Sequence, residues 1–135
     1  MTDLKKIKTK LEVYESWFKE RFRIMEFSFT VHDKLMKLIK SDLPEKEIVE
    51  TYVKDLEELY AGEPEPLSRR NTAYYIWGHL KNVVTKNEKK RIFGLLELLD
   101  GNGNDIDDIK KEFHLLKNKY DVKNLNDSNY FQDIN

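Results

Sequence analysis

With 24 Lys and Arg against 25 Asp and Glu in 135 residues, the chain has a formal charge of −1, and 36% of it is charged. That length suits one domain, residues 1–135, and the 12% aromatic content supplies a core for it. A count of zero cysteines excludes disulfides, thiolate zinc sites and thiol nucleophiles, and fits a reducing cytoplasm. No apolar run reaches the roughly 20 residues of a membrane span, and the N-terminal stretch lacks the apolar region of a secretory signal.

Periodicity predicts helices throughout. Leu4, Ile7, Leu11, Tyr14, Phe18, Phe22, Met25 and Phe29 recur at three and four residues as one amphipathic stripe, continued by His32, Leu35, Leu38 and Ile39. Forty residues is long for one helix, and a bend or break is expected around Phe27–Val31, where β-branched and aromatic residues cluster. Ser41 to Glu45 reads as a stop and a new start at Pro44, followed by a helix to about Ala61 with Ile48, Tyr52, Val53, Leu56, Leu59 and Tyr60 inside. Gly62-Glu63-Pro64-Glu65-Pro66 is a clear break. A third helix is predicted from Asn71 as N-cap, burying Ala73, Ile76, Trp77, Leu80, Val83 and Val84. Thr85 or Asn87 caps a fourth, with Ile92, Leu95, Leu96 and Leu99 buried, and a fifth spans about 106–119 on Ile106, Ile109, Phe113 and Leu116. The tail residues Val122, Leu125, Tyr130 and Phe131 are expected to clip onto the body. The fold class is all-α, a bundle of about five helices.

The near-zero charge is a sum of opposed blocks. Residues 41–67 carry nine acids and two cations, whereas residues 68–91 carry seven cations and a single acid, Glu88, a net of +6. Metal or catalytic chemistry finds little support beside this. Asp100, Asn102 and Asn104 fall at the first, third and fifth positions of a calcium loop, but Asp105 and Lys111 stand where such a loop needs Gly and Glu, so an ordinary turn is the better reading. His32, His79 and His114 lie on different predicted helices without ligand spacing. Neither Ser28 nor Ser68 sits in a nucleophile elbow, and no phosphate-binding glycine motif occurs, so no cofactor is expected.

The basic segment carries the functional expectation. Tyr75, His79, Asn82 and Lys86, at i, i+4, i+7 and i+11, form one predicted stripe opposite the apolar face of the third helix. Arg69 and Arg70 are expected at its N-terminus, where free N–H groups favour an anion, and Lys89, Lys90 and Arg91 open the next helix. Rings, an imidazole, amides and cations on one surface match the needs of RNA: stacking plus phosphate neutralisation.

The run Asn71-Thr-Ala-Tyr-Tyr-Ile-Trp-Gly78-His-Leu-Lys81, followed by Thr85-Lys-Asn-Glu88-Lys89, resembles the YbgA-like family of unknown-function domains over about residues 20–131. Phe29-Thr-Val-His32 resembles a further motif of that family. Tyr75 and His79 stand exchanged relative to the family pattern, and Leu99-Asp100 replaces its Tyr-Arg pair. In some relatives this domain follows a thiouracil-desulfidase-type iron–sulfur domain acting on thiolated tRNA. The resemblance therefore implies a recognition module whose contacts fall on Asn71, Gly78, Lys81, Glu88 and Lys89. Three of these have structural explanations as well: Asn71 as a cap, Gly78 for close packing, and Glu88 as a dipole partner paired with Lys81 or Arg91.

The expectation is a non-catalytic cytoplasmic module that binds structured RNA, tRNA foremost, through Arg69, Arg70, Asn71, Tyr75, His79, Lys81, Asn82, Lys86, Lys89, Lys90 and Arg91. The alternative is a protein-interaction module that docks on a separately encoded enzyme through the acidic 41–67 helix or the apolar tail.

Overall fold

Ser28 divides what the apolar stripe presents as one long helix. The computed structural model describes residues 4–99 and 106–132, and in it helix α1 (Lys10–Phe27) starts at Thr9, whose hydroxyl accepts the Glu12 N–H at 3.1 Å. At Ser28 the backbone turns extended (φ −164°, ψ 120°); its N–H closes α1 on the Ile24 carbonyl and its hydroxyl accepts the Val31 N–H, opening α2 (Phe29–Ile39). One residue thus serves as C-cap and N-cap. Helix α3 (Glu45–Ala61) follows Pro44, and α4 (Pro66–Leu80) follows Glu65, whose N–H bonds the Phe27 carbonyl and ties this junction to the α1–α2 break.

Helix α5 (Lys86–Leu98) carries a full capping box, Thr85 with Glu88. Helix α6 (Ile106–Tyr120) ends at Asp121, which takes the left-handed φ of 50° while the Val122 N–H reaches back to the Lys117 carbonyl, a Schellman closure. A short helix, α7 (Lys123–Asn126), and a 3-10 turn at Asn129–Phe131 complete the tail, and another 3-10 turn, Leu4–Lys6, precedes α1. Seven α-helices among the described residues therefore replace the five or so expected, because Ser28 splits the first and the tail folds one of its own. No strand occurs among those residues, and none of their helices is long and apolar enough to cross a membrane. The calcium-like loop at Asp100–Asp105 lies outside the described residues.

Two apolar cores flank α1. Phe22 and Met25 join Ala73, Ile76 and Leu80 of α4, Ile92 and Leu96 of α5, Ile109 and Phe113 of α6, and the tail residues Leu125, Tyr130 and Phe131. Val13 and Ile24 join Leu35, Ile39, Ile48, Tyr52 and Leu56 from α2 and α3. Polar groups on α1 pin the two together. Ser16 hydrogen-bonds the Tyr52 hydroxyl at 2.7 Å, and Glu20, only 2% exposed, accepts from the Tyr60 hydroxyl on α3 and from Asn129 in the tail. Glu26, 4% exposed, pairs with Lys110 of α6 at 2.7 Å. Burial raises the Tyr52 and Tyr60 hydroxyls well above their ordinary pKa, and the Glu20 charge adds to both.

The first half of α1 corrects the expected stripe. Leu11, Tyr14 and Phe18 are exposed, while Val13, Ser16 and Glu20 face inward. The inward face there meets tyrosine hydroxyls of α3, so it carries polar partners, and hydrophobic spacing alone selects the wrong side. Elsewhere the expected core residues are buried or half-buried, with the exception of Val83, which is exposed in the turn after α4.

Candidate nucleic-acid interface

Helix α4 presents its outer face between α1 and α5. At about 100° per residue, Asn71 and Gly78 lie along the middle of that face, Tyr75 and His79 along one flank, and Arg70, Tyr74, Trp77 and Lys81 along the other. Tyr74 and Tyr75 are 42% and 50% exposed. A Cβ built at Gly78 would meet no atom within 4 Å among the described residues. Close packing inside the chain is therefore not the reason for this glycine, although an exposed helical Gly costs about 1 kcal/mol relative to Ala.

On the α1 flank, Tyr75 and His79 rest on Phe22, with ring centroids 5.9 and 5.6 Å away, and on each other at 5.6 Å. The Arg21 guanidinium lies 4.7 Å from the Phe22 ring centre and 5.0 Å from that of exposed Phe18, and it donates to the Asn124 carbonyl of α7. Burial lowers the His79 pKa below 6.5, and the Arg21 charge lowers it further, so the imidazole is neutral at pH 7.

The α5 flank carries the cations. Lys86, Lys89, Lys90 and Phe93 follow i, i+3, i+4 and i+7, one face of α5, and Phe93 meets Trp77 edge-on at 5.7 Å. Lys81, Lys86, Lys89 and Lys90 are exposed and make no ion pair among the described residues. Arg70 lies over the Tyr74 ring at 5.4 Å. Because Trp77 and Phe93 join the two helices, these cations border the outer face of α4.

Several expected residues sit elsewhere. Helix α4 begins at Pro66, five residues before Asn71, so Asn71 is an exposed mid-helix residue and no cap. Arg69 and Arg70 do not precede the helix but are its fourth and fifth residues, the Arg69 N–H making the first intrahelical bond, to the Glu65 carbonyl. Arg69 is turned to the core side, where its charge acts on buried Tyr130. Asn82 is exposed in the turn after Leu80, so Tyr75, His79, Asn82 and Lys86 do not share one continuous helix. Arg91 points to α6 and pairs with Glu112 at 2.7 Å. Glu88 is engaged with neither Lys81 nor Arg91. It closes the capping box and binds Lys119 and Tyr120, and the Lys119 ammonium above all, then the Thr85 N–H and the Tyr120 hydroxyl, hold its carboxyl down to about 2.

Phe18 and Phe22 were expected only as members of the core stripe, Arg21 was given no role, and Tyr74 was not among the expected contacts. The available signal was Arg21 beside Phe22 and one turn from Phe18. Of the other histidines, His32 stacks on Trp17 at 5.1 Å and bonds Asp33, and His114 packs on Phe131 at 5.6 Å. No group of three metal-ligating side chains occurs among the described residues.

The fold and this surface define a helical domain whose outer α4 face is aromatic toward α1 and cationic toward α5. The chain belongs to a family described as a protein of unknown function (DUF1722), whose model matches residues 21–134. No curated protein and no solved structure matches it.

Proposed function

We propose that this protein is a non-catalytic cytoplasmic module that binds structured RNA, tRNA foremost, across the outer face of α4 and the lysine face of α5. The observation that carries the reading is that four exposed lysines without an ion pair among the described residues (Lys81, Lys86, Lys89 and Lys90) stand on or just after the two helices that Trp77 and Phe93 join, and that α4 also exposes Tyr74, Tyr75 and the backbone at Gly78. The lysines neutralise phosphates, and the rings stack on bases. The resemblance to YbgA-like domains, some of which follow a desulfidase domain acting on thiolated tRNA, supports tRNA among RNAs.

Fluorescence anisotropy with bulk tRNA at two ionic strengths tests this. Binding that weakens steeply with salt, and weakens further in Lys86→Ala/Lys89→Ala/Lys90→Ala, is expected. No binding at low salt, or binding untouched by the triple substitution, sinks the assignment. The docking alternative has lost half of its surface, because Leu125, Tyr130 and Phe131 are buried in the core. It retains the acidic outer side of α3, and a partner that co-purifies irrespective of ribonuclease treatment would favour it.

A further inference from the structure

Building on the RNA reading, we infer that the aromatic flank between α1 and α4 is a seat for one unpaired nucleobase, formed by Phe18, Arg21, Phe22, Tyr75 and His79. The module thus reads a looped or single-stranded segment and leaves duplex RNA unselected.

Phe22 is 2% exposed and backs both Tyr75 and His79, so the tyrosine ring is held from behind while half of its surface stays open. Phe18, 47% exposed, is linked to this group by the Arg21 guanidinium that spans both phenylalanine rings. Rings held in place lose little freedom on binding, and they have a face to offer to a base. In a duplex every base face is already covered by its neighbours, so only an unpaired base can take up that offer. The Arg21 guanidinium, already over both phenylalanine rings, adds attraction for a base or its phosphate. His79, neutral beside it, presents one donor and one acceptor, the equipment for a base edge rather than for a phosphate. One turn beyond Tyr74 and Tyr75, Gly78 leaves the helix backbone uncovered, so a ribose can lie flat against α4 between the rings and the lysines.

The division of labour makes the two surfaces separable by experiment. The probes are a labelled single-stranded oligouridine and a duplex RNA of equal length, titrated by anisotropy at several salt concentrations from low salt upward. Tyr75→Ala and Phe18→Ala are each expected to weaken oligouridine binding about tenfold, with the salt slope unchanged and the duplex affinity unaffected, and Tyr75→Phe restores binding. Circular dichroism melts of each variant establish that it is folded. Lys86→Ala/Lys89→Ala/Lys90→Ala weakens both probes and flattens the salt slope. Equal affinity for the two probes, or folded Tyr75→Ala and Phe18→Ala variants that bind oligouridine normally, overturns the base seat and leaves RNA binding by the lysines standing. Failure of both probes overturns RNA binding itself.

Discussion

If the proposed RNA reading holds, Gly78 sets stability against binding at a single position. Its surroundings are open, so Gly78→Ala is expected to raise stability by about 1 kcal/mol, the usual gain for an exposed helix interior, while the added methyl group intrudes on the RNA face and weakens tRNA binding. Thermal melts and anisotropy on one sample read both effects, and a variant improved in both would argue against close approach at this glycine. Glu88 supplies a pH dependence. Its carboxyl is held at about 2, below the ordinary 4.5, so its contribution to stability is complete above pH 4.5 and is lost as the pH falls toward 2. Urea unfolding of the native protein and of Glu88→Gln should therefore differ near neutral pH and converge at acid pH.

At the level of elements, Ser28 joins α1 and α2, and removing its hydroxyl unsettles the start of α2. Ser28→Ala is expected to cost about 1 kcal/mol, measured by chemical denaturation, with helix content retained. Helices whose partners are apolar were legible in the sequence: α3, α5 and α6 carry their buried residues at the expected spacing, and the capping box at Thr85 was within the expected choices. Helix α1 was not, because it has a different neighbour on each side and meets α3 through Ser16 and Glu20. The start of α4 was misplaced for a local reason. Asn71 is a good cap by type, but Pro66 after Glu65 already has the dihedral that opens a helix, and the chain takes the earlier start. The cationic half of the candidate surface was legible as a charge block, and Tyr75 and His79 as rings on the outer face of α4; Phe18 and Arg21 were not, since they come from a segment distant in sequence.

Across the whole molecule, the charge block of +6 at residues 68–91 is smaller in effect than in count. Arg69 is turned inward and Arg91 is paired, which leaves Arg70, Lys81, Lys86, Lys89 and Lys90 for phosphates. If each meets one, log K for single-stranded RNA should fall against log salt with a slope of roughly −3 to −4. Glu20 tests how the two cores cohere. Its replacement by Ala leaves the Tyr60 hydroxyl and the Asn129 amide without their acceptor, at a cost of about 3 kcal/mol, and calorimetry should show the melting transition broadening as the α2–α3 side loosens from the rest.

Glu20 also lies just ahead of residue 21, where the match to the family begins, in the middle of α1. A polypeptide trimmed to that boundary would keep only residues 21–27 of the helix and discard Val13, Ser16 and Glu20, which help to fasten α3, together with exposed Phe18. The matched segment therefore omits part of what holds α3, and expression of residues 21–134 alone should give a sticky, partly ordered product with reduced helix content by circular dichroism.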